Sequence, residues 1–146
     1  MSFFAIWDKV PIPYKRMTQR SKYLPANQAY LACKNDLALC LKESNPGMTY
    51  QGEVSVSVAI IRPKKTGDVD NYLKLVLDAL QESGIIKNDN QVTATSAIII
   101  DPKNLIEAKS RLRVCFHPFQ GANSYWDKFL KLKAGLMIHV APISVL

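Results

Sequence analysis

The chain has 146 residues, 19 Lys+Arg against 12 Asp+Glu, a formal net charge of +7 and 48% hydrophobic residues. That length sets an expectation of one domain with its own core, and the ordinary 21% charged content excludes a mainly disordered chain. No apolar run reaches the roughly 18 residues that a membrane span needs. The start, SFFAIW before Asp8, lacks the basic region of a secretory signal, so a cytoplasmic protein with no membrane association is expected.

Residues 2–7 (SFFAIW) predict a short strand, stopped by Pro11-Ile12-Pro13. Tyr14 to Tyr23 is an irregular basic stretch in which Lys15, Arg16, Arg20 and Lys22 interleave with the two tyrosines. After Pro25 and Asn27 a helix is predicted over about 28–42, with Leu31, Cys33, Leu37, Cys40 and Leu41 at turn-like spacing, and Asn45-Pro46-Gly47 ends it. In residues 51–62, Val54, Val56 and Val58 alternate with Ser55 and Ser57, the period of a strand with one face buried.

Pro63 to Gly67 forms a basic loop carrying Lys64 and Lys65. The spacing of Leu73, Val76, Leu77 and Leu80 at i, i+3, i+4 and i+7 predicts a helix over 69–82, ended by Ser83-Gly84. Asn88-Asp89-Asn90 reads as a turn. Residues 91–100 (QVTATSAIII) and about 107–116 (EAKSRLRVCF) read as two further strands joined through Asp101-Pro102-Lys103-Asn104. Beyond His117-Pro118 a helix is predicted over 124–133, followed by an apolar end, 136–146, with no assigned role. The order strand, helix, strand, helix, strand, strand predicts a mixed α/β domain over residues 1–118, with residues 119–146 as a C-terminal extension that is helical in part.

Cys33, Cys40 and Cys115 form no C-x-x-C pair and no disulfide framework, so reduced thiols are expected, and the isolated His117 and His139 do not form a zinc site. An isoelectric point near 9.4 suggests a polyanionic partner, most simply nucleic acid. A solvated basic surface accounts for the same number.

The stretch Gly67-Asp68-Val69-Asp70-Asn71-Tyr72-Leu73-Lys74, with Asp89 further on, is where chemistry concentrates. Asp68 stands at the N-cap of the predicted helix and Asp70 in its first turn, with Lys74 one turn later on the same side. If the strand beginning at Gln91 lies beside the one ending near Arg62, the turns that hold Asp68 and Asp89 converge. Three such carboxylates repel one another unless a divalent cation joins them, and hard oxygen donors with open positions suit Mg²⁺. That ion ionises a water and stabilises a departing phosphodiester oxygen, and a nearby ammonium offsets the charge that builds on the phosphate. Spacing alone nevertheless favours ordinary helix chemistry. Asp at an N-cap and in a first turn suits the helix dipole, and an Asp70–Lys74 pair contributes only about 0.2–0.5 kcal/mol.

Asp68-x-Asp70-Asn71-x-x-Lys74, then Asp78-Ala79-Leu80, Gly84 and Asp89-x-Gln91-Val92, resembles the core signature of the RusA family of Holliday-junction resolvases. Pro11-x-Pro13 and the basic residues after it are similar to that family's N-terminal half, and the resemblance spans about residues 2–117. It implies a homodimeric, Mg²⁺-dependent endonuclease of bacterial or phage origin. Such an enzyme resolves four-way DNA junctions by paired symmetric nicks in recombination and repair. Carried over position by position, it makes Asp68, Asp70 and Asp89 metal ligands and Lys74 the essential catalytic lysine, with Asn71 and Asp78 in supporting roles.

Two departures stand out. The family often has adjacent acids where this chain has Asn88-Asp89, and strand 92–100 carries no basic residue. Lys15, Arg16, Arg20, Lys64 and Lys65 are the candidate DNA-binding cations, and Tyr14 and Tyr23 are candidates to stack on unpaired bases. The competing expectation is a branched-DNA-binding protein that keeps the fold without catalysis. A phosphohydrolase acting on small nucleotides is disfavoured, because the chain has no Gly-rich phosphate loop.

Overall fold

The computed structural model describes residues 2–18, 20–45, 47–65, 67–116 and 122–143. Pro46, His117, Pro118 and residues 144–146, all touched by the expectations above, lie outside the described residues. The elements in chain order are β1 (Phe3–Trp7), α1 (Pro25–Ser44), β2 (Val54–Ile61), α2 (Val69–Glu82), β3 (Val92–Ile99), α3 (Leu105–Cys115), α4 (Ala122–Phe129) and β4 (Gly135–Pro142). Single 3-10 turns occupy Ser21–Tyr23 and Asp89–Gln91.

The strands form one mixed sheet in the order β1-β4-β2-β3, with β4 antiparallel to both β1 and β2 and with β2 parallel to β3. Val54, Val56, Val58 and Ile60 of β2 point into a core shared with α1 and α2, together with Leu136, Ile138 and Val140 of β4. The alternate residues Ala59, Ile61 and Met137 enter a second core under α3 and α4, with Leu112, Phe116, Trp126 and Phe129. Helices therefore cover both faces, and the two inner strands are buried on both sides, which a long apolar run permits. This is the mixed α/β single domain that the sequence predicts, with different connections after β3.

Residues 107–116 are not a strand. They lie within α3, whose buried residues Ala108, Leu112 and Cys115 follow a helical rather than an alternating spacing. Asn104 caps the helix. Its side chain accepts from the Glu107 amide at 3.3 Å and donates to the Glu107 carboxylate at 3.1 Å, a cap-and-acid pairing that marks a helix start. The hairpin expected between 91–100 and 107–116 is consequently absent, and 101–104 is the turn from strand to helix.

The apolar end acquires a role as well. Residues 135–142 form β4, which sits between β1 and β2, so a boundary at residue 118 cuts through the sheet and leaves an inner strand on the far side. The helix expected over 124–133 is α4, displaced toward the N terminus. Predicted helix 28–42 begins earlier, at Pro25, because proline is well suited to a first turn that needs no amide donor. None of the three cysteines is disulfide-bonded, and burial raises the pKa of each thiol, which keeps it protonated and unreactive.

His139 lies inside β4 with its ring 4.3 Å from that of Phe4, fully buried, and burial lowers its pKa to about 4. In the unfolded chain the imidazole titrates near its ordinary 6.5, so between those values the unfolded state binds the proton and the native state does not. Stability from this group is present above pH 6.5 and is lost as the pH falls toward 4, at up to about 1.4 kcal/mol per pH unit. Denaturant midpoints between pH 7 and pH 4.5 are expected to fall more steeply for the wild type than for His139→Leu. Parallel curves would assign the acid sensitivity to other groups.

Candidate active site

The head of α2 is built by a convergence of loops. Gly67 adopts φ +71°, in the left-handed region, and a Cβ there would lie 2.7 Å from the Pro13 ring, so Pro13 rests directly on this turn. The amide of Tyr14 donates to the Asn71 carbonyl at 3.0 Å, and Arg62 Nη1 donates to the Gly67 carbonyl at 2.6 Å. The basic stretch after Pro13 and the basic loop after β2 therefore flank the first turn of α2.

Asp68 occupies the N-cap with extended backbone, φ −90° and ψ 159°, yet its carboxylate makes no capping hydrogen bond. Asp70 follows in the first turn, and both residues are exposed. The helix is anchored by Tyr72, Leu75, Val76, Ala79 and Leu80, all fully buried. Leu73 and Leu77, expected in that stripe, are half-buried, so the apolar face is turned toward Tyr72 and Leu75.

Lys74 does not pair with Asp70. Its ammonium lies 3.0 Å from Asp78 Oδ1 and 3.9 Å from Asp89 Oδ2, and 5.9 Å from the centre of the Tyr14 ring. Tyr30 donates to Asp78 Oδ2 at 3.3 Å, which fixes the carboxylate from α1. The Lys74 pKa is raised, chiefly by the hydrogen bond to Asp78; partial burial opposes this, and the charges of Asp78 and Asp89 add to it. Burial first, and then the Asp78 charge and hydrogen bond, raise the Tyr30 hydroxyl. Lysine preceding acid is the weaker orientation for an i,i+4 pair on a helix, and exposed pairs contribute less than about 1 kcal/mol. Helix stability therefore does not explain the arrangement.

The expected convergence of three aspartates is not what the structure contains. β3 does lie beside β2, but parallel to it, so the two turns fall at opposite ends of the pair. The Asp89 turn is tied to the amino end of β2 through Gln91 Nε2, which donates to the Tyr50 and Gly52 carbonyls at 2.9 Å. Asp68 follows the carboxyl end. Among the described residues no group of three His, Cys, Asp or Glu side chains is arranged to hold a metal ion. The structure thus brings Asp89 to Lys74 and leaves Asp68 and Asp70 as a separate pair one turn above.

Lys15, Arg16 and Arg20 are exposed on the loop before α1, and Lys64 and Lys65 are exposed beside the α2 head. Tyr14 is half-buried and in edge contact with Tyr30 at 5.7 Å, so it belongs to the lysine's surroundings more than to an open face. Tyr30 was not visible as a site residue. It lies 48 positions from Asp78, and only the contact between α1 and α2 joins them. No helix among the described residues is long and apolar enough to cross a membrane.

A family model described as endodeoxyribonuclease RusA matches residues 9–115. The crossover junction endodeoxyribonuclease RusA of Aquifex aeolicus (strain VF5) is 31% identical over 81 residues, which are 55% of this chain and 61% of that protein. The matched span contains Pro13, the whole of α2, Asp89 and Tyr30, the residues whose contacts build the site. The chain belongs to the RusA endodeoxyribonuclease family.

Proposed function

We propose that this chain is a structure-selective DNA endonuclease that resolves four-way junctions by paired symmetric nicks and depends on Mg²⁺. The observation that carries the reading is the state of the α2 head. Two carboxylates are exposed there, that of Asp68 without a capping hydrogen bond, and a lysine one turn away is held by two further acids. Asp68 and Asp70 offer hard oxygen donors open to solvent, which fits a cation that keeps several waters and takes one or two carboxylates plus a phosphate. When bound, Mg²⁺ supplies a water of lowered pKa and neutralises charge on the scissile phosphate.

The chain's own groups do the rest. The amino end of α2 favours an anionic phosphate. Lys74, kept protonated and aimed by Asp78 and Asp89, compensates the negative charge that grows as the phosphodiester is attacked in line. Asp89 therefore acts through the lysine in this geometry, not as a third donor beside Asp68 and Asp70. Lys15, Arg16, Arg20, Lys64 and Lys65 hold the flanking backbone, which makes binding steeply salt-dependent. A four-way junction has two-fold symmetry, and a homodimer presents two equivalent sites to its opposed strands.

The test is cleavage of a labelled synthetic four-way junction with Mg²⁺ or with chelator, using linear duplex of the same sequence as control. Paired nicks on the junction that require the divalent ion are expected. Tight junction binding without scission in any divalent metal would instead identify a binder that keeps the fold, with Asp68 and Asp70 as helix-start residues.

A further inference from the structure

At the carboxyl ends of β2 and β3, on the side away from α2, lies a cavity of about 830 Å³. Arg62, Lys64, Lys65, Lys103, Arg111 and Lys133 line it, and among the described residues Asp101 is the one carboxylate in the lining. These cations come from four separate parts of the chain: the loop after β2, the turn after β3, α3, and the loop between α4 and β4. Asp101 is already engaged, since its Oδ1 accepts from the Lys103 amide at 3.0 Å. Arg111 is fixed in place by donating to the Ile99 carbonyl at 2.8 Å and by pairing with Glu107.

Arg62 and Arg111 are engaged within the protein, at the Gly67 carbonyl and at Glu107, and the four lysines give the concavity a positive potential that favours an anionic ligand. The floor is apolar, formed by residues such as Ile61, Ile100 and Leu130, and among the described residues no aromatic side chain lines it to stack a base. An apolar floor with a cationic rim matches sugar and phosphate rather than base edges. The groove shares Lys64 and Lys65 with the loop that leads into Asp68, so it begins where the proposed catalytic centre ends. Lys133 lies beyond residues 9–115, so part of the groove is built by chain outside the family match.

We propose that this groove is a second phosphate-backbone site, which seats a DNA arm leading away from the strand held at Asp68 and Asp70. The inference rests on the nuclease reading for the identity of its ligand, but its own observation is the groove. Lys103 and Lys133 contact that arm and take no part in cutting.

The experiment compares wild type, Lys103→Ala/Lys133→Ala, and Lys42→Ala/Lys128→Ala, a control that removes the same charge from exposed positions off the groove. Junction affinity is measured from 50 to 300 mM salt, and single-turnover cutting at saturating junction is measured in parallel. The groove variant is expected to bind more weakly and to lose about 4 from the slope of log K against log salt, one counterion for each of the two lysines in both protomers of the homodimer. Its cutting rate at saturation stays within about twofold of wild type, and the control keeps the wild-type slope. If groove and control variants behave alike, or if the groove variant loses only its cutting rate, the second site is wrong. A wild type that binds but does not cut overturns the nuclease reading and leaves the slope comparison to decide the groove.

Discussion

An Asp70→Asn protein is expected to bind a four-way junction as the wild type does and to cut it at least about 100-fold more slowly, since even outer partners of a metal ligand are worth 10- to 100-fold. The same carboxylate in a purely structural role, near the positive end of a helix dipole, contributes only about 0.3–1 kcal/mol, a small shift in melting temperature with no selective loss of cutting. The two readings differ in which observable moves. Lys74→Gln is expected to lower cutting by about 100- to 1000-fold, the usual loss when one group stabilising transition-state charge is removed. Because Asp78 raises the Lys74 pKa above 10.5, the ammonium stays charged throughout the working range. Any loss of cutting on the alkaline side below pH 10 must therefore come from another group. Rate measurements on both variants at fixed junction occupancy decide the matter. Unchanged cutting in either variant removes that residue from the chemistry.

A fragment ending at residue 118 is expected to show no cooperative unfolding transition by circular dichroism. β4 hydrogen-bonds to β1 on one side and to β2 on the other, so its loss parts the sheet into two pieces. Leu136, Met137, Ile138 and Val140 are all fully buried, and at about 1.5–3 kcal/mol each they represent on the order of 6–12 kcal/mol. That is comparable with the whole stability of an ordinary domain, about 5–15 kcal/mol. A fragment that unfolds cooperatively and still binds junctions would restore residues 119–146 to the status of an appendage.

Legibility followed how local each signal was. α2 was readable to its boundaries because its apolar residues repeat with the helical period and Asp68 and Gly84 punctuate both ends. β2 was readable from Val54, Val56 and Val58, although the strand is buried on both faces rather than one. α3 was misread. Its short length and its Arg-Leu-Arg-Val-Cys stretch imitate alternation, and the cap at Asn104 with Glu107 was the signal that outweighed it. β4 carries a run of apolar residues without alternation, which in isolation fits a buried strand and a buried helix segment alike.

A mixed α/β domain, the helix that carries Asp68, Asp70 and Lys74, and the family signature were all legible in the chain, because each is a pattern along it: the order of elements, the helical period, and the spacing of residues from Asp68 to Val92. Tertiary structure decided the remainder. The parallel crossover from β2 through α2 to β3 is a property of strand order, and it separated Asp89 from Asp68 while giving it to Lys74. The contact between α1 and α2 brought Tyr30 to Asp78. Insertion of β4 between β1 and β2 made the last strand part of the core, and the loop before it carries Lys133 to the basic groove. Spacing along a chain states which side chains share a face, whereas only strand order and direction state which ends of the sheet meet.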